Sequence, residues 1–154
     1  CALAPILDEL AGHGNSKEID AENCSYEIVE KAFETMTALE SPLQAHLLER
    51  LRRHEQVRII GPTAPEISAR VSTISFLHFQ RDSEEIVAAA RNADVGIRHG
   101  HMYAYRLCKA MGIDLQSGVV RVSAVHYNTM SEIDRLMDAI DPMLAETNIQ
   151  PPGN

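Results

Sequence analysis

The sequence lacks several features that would assign it to a functional class directly. It contains no Gly-rich phosphate loop, no Gly-x-Ser-x-Gly nucleophile motif, no His-Glu-x-x-His zinc motif and no Cys-x-x-Cys pair. Only three of its 154 residues are lysines, and each lies in a predicted connector or helix. No apolar run reaches the roughly 20 residues that a membrane-spanning helix needs. The chain by itself therefore shows no complete catalytic constellation, and we expect neither membrane insertion nor a metal site.

Cysteines and positive charges are also scarce. The three cysteines, Cys1, Cys24 and Cys108, are odd in number and widely separated, so we expect free thiols in a reducing, cytoplasmic compartment. The 14 basic residues face 22 acidic ones, which gives a net charge of -8. Such a surface repels phosphate backbones, and non-specific nucleic-acid binding is not expected. Because Cys1 falls inside an apolar run, we interpret the chain as a fragment of a longer protein.

The hydrophobic pattern predicts a single domain in which helices and strands alternate. From residue 57 the order is β-β-α-β-α-β-α, with strands over 57–60, 71–79, 95–98 and 118–126. This order is typical of an α/β or α+β two-layer sandwich, a small sheet with helices on one face. We divide the chain into residues 1–23, the remnant of a preceding domain and a connector, residues 24–147, the domain itself, and a tail at 148–154.

A long helix precedes the first strand. Its apolar stripe recurs every three or four residues, at Ile28, Ala32, Met36, Leu39, Leu43, Leu47 and Leu51. Pro42 interrupts the stripe, and Ser41 with Gln44 has the spacing of a capping box, so a kink or a restart is predicted there. Asp82, with Glu85, and Thr129, with Glu132, are the predicted caps of two later helices.

Polar residues cluster at the ends of two predicted strands. The first group is Arg98, His99 and His101, before a helix whose amides favour an anion; the second is Arg121 with Ser123. Val120 and Val122 flank Arg121, and an arginine among buried valines is costly unless its guanidinium is paired, for which a carboxylate is well suited. The residues predict one or two arginines poised for a small anion.

Less specific interpretations stay open for the same residues. Arg121 has the alternative of pairing with an acidic side chain at a sheet edge. For His99 and His101, one alternative is that they are surface or turn residues. The other is that they are a metal-binding pair, for which the sequence offers no third ligand nearby. Tyr103 is more typical of packing than of catalysis. Cys108, in an apolar helical stripe, is expected to be a buried and inert thiol.

Residues 96–104, 118–129 and 132–136 together resemble the C-terminal part of class V aminotransferase-fold enzymes, in particular the cysteine desulfurase-like branch. The likeness extends over about residues 26–144. It implies the small domain of a fold type I enzyme that uses pyridoxal phosphate in its full-length form. In that family the lysine that holds the cofactor lies upstream, so we expect this chain to bind no cofactor covalently and to be inactive alone. A homodimer is implied for the parent enzyme.

The resemblance also implies roles for individual residues. Arg121 matches the arginine that clamps the α-carboxylate of an amino-acid substrate, with Ser123 on the same strand face. Arg98, His99 and His101 would line the mouth of the site. Tyr103 stands where true desulfurases carry their reactive cysteine, so another amino-acid reaction of the class fits as well. None of these residues is predicted to be catalytic.

A non-catalytic function is the alternative from another class. A free-standing domain of this kind would bind amino acids or partner proteins through the same sheet edge, and the apolar stripe of the long helix would supply an oligomer interface. The coding sequence upstream of Cys1 separates the two hypotheses, because the enzyme requires a large preceding domain with a lysine at a strand end.

Overall fold

The computed structural model describes residues 26–63 and 71–145, which form an α+β domain. The predicted segments 1–23 and 148–154, with Cys1 and Cys24, lie outside the described residues. The elements in chain order are α1 (Tyr26–Arg52), β1 (Val57–Ile60), β2 (Thr73–His78), α2 (Ser83–Asn92), β3 (Arg98–Gly100), α3 (Tyr105–Ala110), β4 (Val119–Ser123) and α4 (Met130–Ala145). This order confirms the predicted one.

The four strands form one antiparallel sheet in the order β1-β2-β4-β3. Side chains alternate between its two faces, and the burial pattern of β2 follows this alternation, with Ile74, Phe76 and His78 buried. Phe76 pairs with Ile59 of β1 and with Val120 of β4, so one face of the sheet is continuously apolar.

The three longer helices cover this apolar face, as the sequence predicts. The main core lies between sheet and helices, and its most completely buried large side chains include Leu47, Leu48, Phe76, Ile86, Val120, Leu136, Met137 and Ile140. Burial of such side chains provides most of the stabilisation of a small domain. Within the described residues no helix is long and apolar enough to cross a membrane.

The short helix α3 packs against the opposite face of the sheet. Cys108 of α3, Ile113 and Val119 of β4 form a second small cluster there, joined by Met102 and Leu77. Cys108 is a buried free thiol, which confirms the predicted burial of this cysteine. The rest of this face, which we call the open face, carries polar side chains.

Helix α1 runs through Pro42 without ending, so the predicted restart at Ser41 is wrong. The Ser41 hydroxyl donates to the carbonyl of Thr37, 2.7 Å away, as serine does in a helix interior and not at a cap. Gln44, the expected partner of that cap, is instead buried. Packing of Leu43, next to the proline, holds the helix together where local sequence favours a break.

The predicted cap of α4 is confirmed, and that of α2 is confirmed for Asp82 but not for Glu85. The Asp82 carboxylate accepts from the backbone N–H of Glu84 at 2.8 Å, so this cap does not use Glu85. At α4 the capping box is reciprocal, because Glu132 accepts from the N–H of Thr129 at 2.8 Å while the Thr129 hydroxyl accepts from the N–H of Glu132 at 3.3 Å.

The boundaries of the third strand were predicted wrongly. The strand covers Arg98–Gly100 and not residues 95–98. The backbone N–H of Val95 donates to the carbonyl of Ala90 at 3.0 Å, which ties Val95 to the end of α2. Pairing with β4 begins only at Arg98, so His99 and Gly100 belong to the strand and not to a turn.

Candidate functional site

Four residues form a row across the open face of the sheet. Ile60 of β1 pairs with Ser75 of β2, Ser75 pairs with Arg121 of β4, and Arg121 pairs with Arg98 of β3. Because Val120 and Val122, the immediate neighbours of Arg121, are buried under the helices, the side chains of this row belong to the opposite face. Two residues far apart in sequence, Arg98 and Arg121, thus become direct neighbours.

Arg121 is only partly exposed, and the Nε atom of its guanidinium is buried without a hydrogen-bond partner. Within the described residues, arginine ion pairs are made by Arg50, Arg53 and Arg81, and by neither Arg121 nor Arg98. The alternative in which an acidic neighbour neutralises Arg121 therefore finds no support in residues 26–63 and 71–145. A buried guanidinium donor requires a partner, and a ligand anion would supply one.

The surroundings of Arg121 change from polar to apolar along the strand. On one side, the hydroxyl of Thr73 donates to that of Ser123 at 3.2 Å. On the other side, Leu77 and Val119 belong to the small apolar cluster under α3. A charged donor flanked by hydroxyls and by an apolar surface is suited to a small organic acid.

The predicted site residues do not all come together. Arg98, Arg121 and Ser123 share the open face, whereas His99 pairs with Val120 and belongs to the helix-covered side, where its Nδ1 is buried and unbonded. His101 lies in the turn beyond β3, and its ring meets that of Tyr105 edge-on at 6.0 Å. The side chain of Tyr103 is fully exposed and packs against none of the described residues.

The turn that carries Tyr103 is held in an unusual conformation. Met102 and Tyr103 have φ angles of 49° and 61°, in the left-handed region that bulky residues rarely adopt. The N–H of Ala104 closes the turn on the carbonyl of His101 at 2.7 Å, and Met102 packs into the cluster under α3. These anchors hold the phenol of Tyr103 away from the body of the domain.

Two glycines allow the backbones of β3 and β4 to come close together next to the Tyr103 turn. Gly100 of β3 forms a bridge with Gly118, just before β4. A Cβ atom on Gly118 would collide with the carbonyl carbon of Gly100, so the two backbones approach more closely than any side chain allows. This contact sets the position at which the chain leaves β3 for the Tyr103 turn.

Sequence reasoning missed Ser75, which belongs to the row, and Thr73, which lies two residues before it on the same strand. Their alternation with buried residues in β2 was a signal for a polar strand face, but only the register shows that Ser75 lies opposite Arg121. Among the described residues, no group of three His, Cys, Asp or Glu side chains has an arrangement that could hold a metal ion.

Comparison with solved structures shows where this fold occurs. The domain superposes on a cysteine desulfurase from Thermococcus onnurineus with a TM-score of 0.63 and 20% identity, over 76% of this chain and 30% of that one. It superposes on the cysteine desulfurase CsdA from Escherichia coli with a TM-score of 0.60 and 20% identity, covering 76% and 29%. The fold is therefore that found in part of the cysteine desulfurase structures.

Sequence comparison establishes the family. The family model for aminotransferase class V matches residues 20–136, and the chain belongs to this family. An aminotransferase-like protein of Gibberella zeae is 37% identical over 106 residues, which cover 68% of this chain and 26% of that protein. A probable cysteine desulfurase of Pseudomonas putida is 31% identical over 106 residues, covering 69% and 24%. The chain thus spans about a quarter of the length of these relatives.

Full-length members of this family depend on pyridoxal phosphate. The cofactor is held through a lysine, and the lysines among the described residues are Lys31 on α1 and Lys109 on α3. Both are exposed on helices, and neither belongs to the row of four residues on the open face. The described residues therefore do not fit the attachment of the cofactor, although they do fit the binding of an acid group.

Proposed function

We propose that this chain is the C-terminal substrate-binding domain of a longer pyridoxal-phosphate-dependent enzyme that acts on amino acids. The observation that carries the proposal is Arg121, whose Nε is buried on the open face without a partner among the described residues. The match to about a quarter of the length of two relatives supports a role as one part of a larger protein. We also propose that the parent enzyme is a homodimer and that it is located in the cytoplasm.

Arg121 would bind the α-carboxylate of the substrate. Its planar guanidinium can donate two parallel hydrogen bonds to a carboxylate, which fixes both the position and the orientation of the acid group. Because Arg121 sits on a central strand with Val120 and Val122 buried on either side, the sheet holds it in place. A fixed carboxylate orients the rest of the substrate for chemistry supplied by residues outside this chain.

The domain would also act as a lid. Closure of its open face against the remainder of the enzyme would exclude water from the arginine and strengthen its interaction with the carboxylate. The exposed phenol of Tyr103, held by its anchored turn, would enter the site on closure. Since no thiol of the described residues stands in that turn, we expect an amino-acid reaction other than cysteine desulfuration by the usual route.

Steady-state kinetics of the whole polypeptide, loaded with pyridoxal phosphate and supplied with a panel of amino acids, tests this proposal. Arg121→Gln should raise KM and lower kcat/KM by about 10- to 100-fold, the range for a lost hydrogen bond to a charged group. Arg121→Lys should not restore the rate because the planar fork is lost. Arg58→Gln is the control, since Arg58 is an exposed arginine on β1 outside the row. Equal kcat/KM for Arg121→Gln and the wild type would refute the assignment.

A further inference from the structure

Two positive charges lie directly opposite each other on the open face. Arg98 and Arg121 are register partners on adjacent antiparallel strands. Side chains in this relation have Cβ atoms about 4.5–5.5 Å apart, and like charges so placed destabilise a sheet. The arrangement therefore carries a cost that the fold must offset in another way.

The protein does not use its carboxylates for this purpose within the described residues. Acidic residues outnumber basic ones by 22 to 14 in the whole chain. Arg50 on α1 contacts three aspartates, Asp134, Asp138 and Asp141. Arg98 and Arg121 contact none of the described carboxylates. The arginine pair is thus left positive in a protein that has acids in excess.

We propose that Arg98 and Arg121 form a site for a substrate with two anionic groups, an amino acid whose side chain carries a second acid group. This inference rests on the proposed function, because Arg121 is taken to bind the α-carboxylate. Arg98 then binds the distal acid group. Two negative charges neutralise the pair, whereas a single carboxylate would leave one positive charge uncompensated when the site is desolvated.

The different exposure of the two arginines fits this division of roles. Arg121 lies on a central strand and is partly buried, as a residue that binds the constant part of a substrate should be. Arg98 lies on the edge strand β3 and is exposed, so its long side chain can adjust to the length of the substrate side chain. Arg98 is in this account a specificity-determining residue.

The binding of succinate and butyrate tests the inference. Both probes have four carbons, but succinate is a dianion and butyrate a monoanion. Calorimetric titration of the chain at low ionic strength, where charges are least screened, should give a Kd for succinate at least about tenfold lower than for butyrate. Arg98→Gln should abolish this preference, because it should weaken the binding of succinate much more than that of butyrate. Arg58→Gln, which changes an exposed arginine outside the row, should alter neither Kd.

The outcomes separate this inference from the proposed function. Equal affinities for the two probes, both lost in Arg121→Gln, would overturn the dianion inference and leave the carboxylate role of Arg121 intact. A succinate preference that survives Arg98→Gln would overturn the assignment to Arg98. Binding of both probes that is unaffected by Arg121→Gln would overturn the proposed function as well. Arg98→Lys keeps the positive charge but loses the planar guanidinium, so it should retain only part of the preference for succinate. This variant also controls for the possibility that Arg98→Gln acts by disturbing β3.

Discussion

At the scale of single residues, the site depends on backbone geometry as much as on its arginines. Gly118 has a φ of +65° and leaves no room for a Cβ against the backbone of Gly100. Gly118→Ala should therefore destabilise the domain by more than about 1 kcal/mol in denaturant unfolding, because it adds a backbone clash to the cost of a positive φ.

Two other glycines provide matched controls for Gly118→Ala. Gly112 has a φ of +68°, but no described atom lies within 4 Å of the position that a Cβ would take, so Gly112→Ala should show the cost of the φ angle alone. Gly96 has neither constraint, and Gly96→Ala should change the stability by no more than about 0.5 kcal/mol. Equal losses for Gly118→Ala and Gly112→Ala would show that the close approach of Gly100 and Gly118 is not important.

Arg121 shows both the reach and the limit of sequence reasoning at this scale. Its position among Val120 and Val122 in a strand is enough to predict a charged side chain on a face opposite to the core, as observed. The proximity of Arg98 and Ser75 is a property of strand order and register, which depends on contacts distant in sequence. His99, grouped with Arg98 in the sequence, lies on the other face because neighbouring residues in a strand alternate.

At the scale of elements, the capping residues in the sequence correctly predicted where α2 and α4 begin, whereas Pro42 wrongly predicted a new start within α1. The capping box of α4 is formed by Thr129 and Glu132. Thr129→Ala should lower the free energy of unfolding by about 1 kcal/mol, the usual cost of losing a cap. Thr35→Ala is the control, because the Thr35 hydroxyl bonds to the carbonyl of Lys31 within α1 and caps nothing. A comparable loss for Thr35→Ala would contradict the role of the cap.

The same cap makes a definite contribution to acid stability. Hydrogen bonds from the backbone and side chain of Thr129 and from Asn128 hold the pKa of Glu132 below its ordinary value. The stabilisation is present above the ordinary pKa of the carboxyl and is lost as the pH falls through the lowered one. Thermal unfolding of Glu132→Ala and the wild type should therefore differ at pH 7 and converge towards about pH 3. A constant difference in Tm would argue against a charged cap.

At the scale of the whole molecule, an ion network joins the first helix to the last. We define it as His46 and Arg50 of α1 and His54, just beyond α1, with the three aspartates of α4 that Arg50 contacts. His46 Nε2 lies 2.6 Å from Asp134 and His54 Nε2 lies 3.0 Å from Asp141. Hydrogen bonds with Asp141 and then Asp138 raise the pKa of Arg50, which is therefore charged at all relevant pH values.

Removing Arg50 should therefore loosen the two helices. Arg50→Met should cost about 2 kcal/mol of unfolding free energy, because several hydrogen bonds between charged groups are lost and three aspartates remain together. Arg53→Met should cost no more than about 0.5 kcal/mol, since Arg53 makes an exposed pair with the nearby Glu49. If both variants unfold at the same denaturant concentration, the network does not hold the helices together.

The buried His78 predicts a further loss of stability in weak acid. Burial lowers the pKa of its imidazole, and the positive charges of Arg81 and His54 lower it further, against the hydrogen bond to the carbonyl of Leu144. Below about pH 6.5, His78 is protonated in the unfolded chain while it is still neutral in the folded chain. The free energy of unfolding therefore falls as the pH falls. His78→Gln should reduce the slope of unfolding free energy between about pH 7.5 and about pH 5.5. An unchanged slope would exclude His78 as its source.

The Nε–H resonance of Arg121 tests the central claim most directly. In a ¹⁵N-labelled sample titrated with butyrate, the account predicts that this resonance shifts and saturates, because the buried donor gains a carboxylate partner. The Nε–H of Arg53, whose side chain is exposed, should shift little and without saturation. A resonance of Arg121 that stays in place, or moves only as much as that of Arg53, would contradict the account.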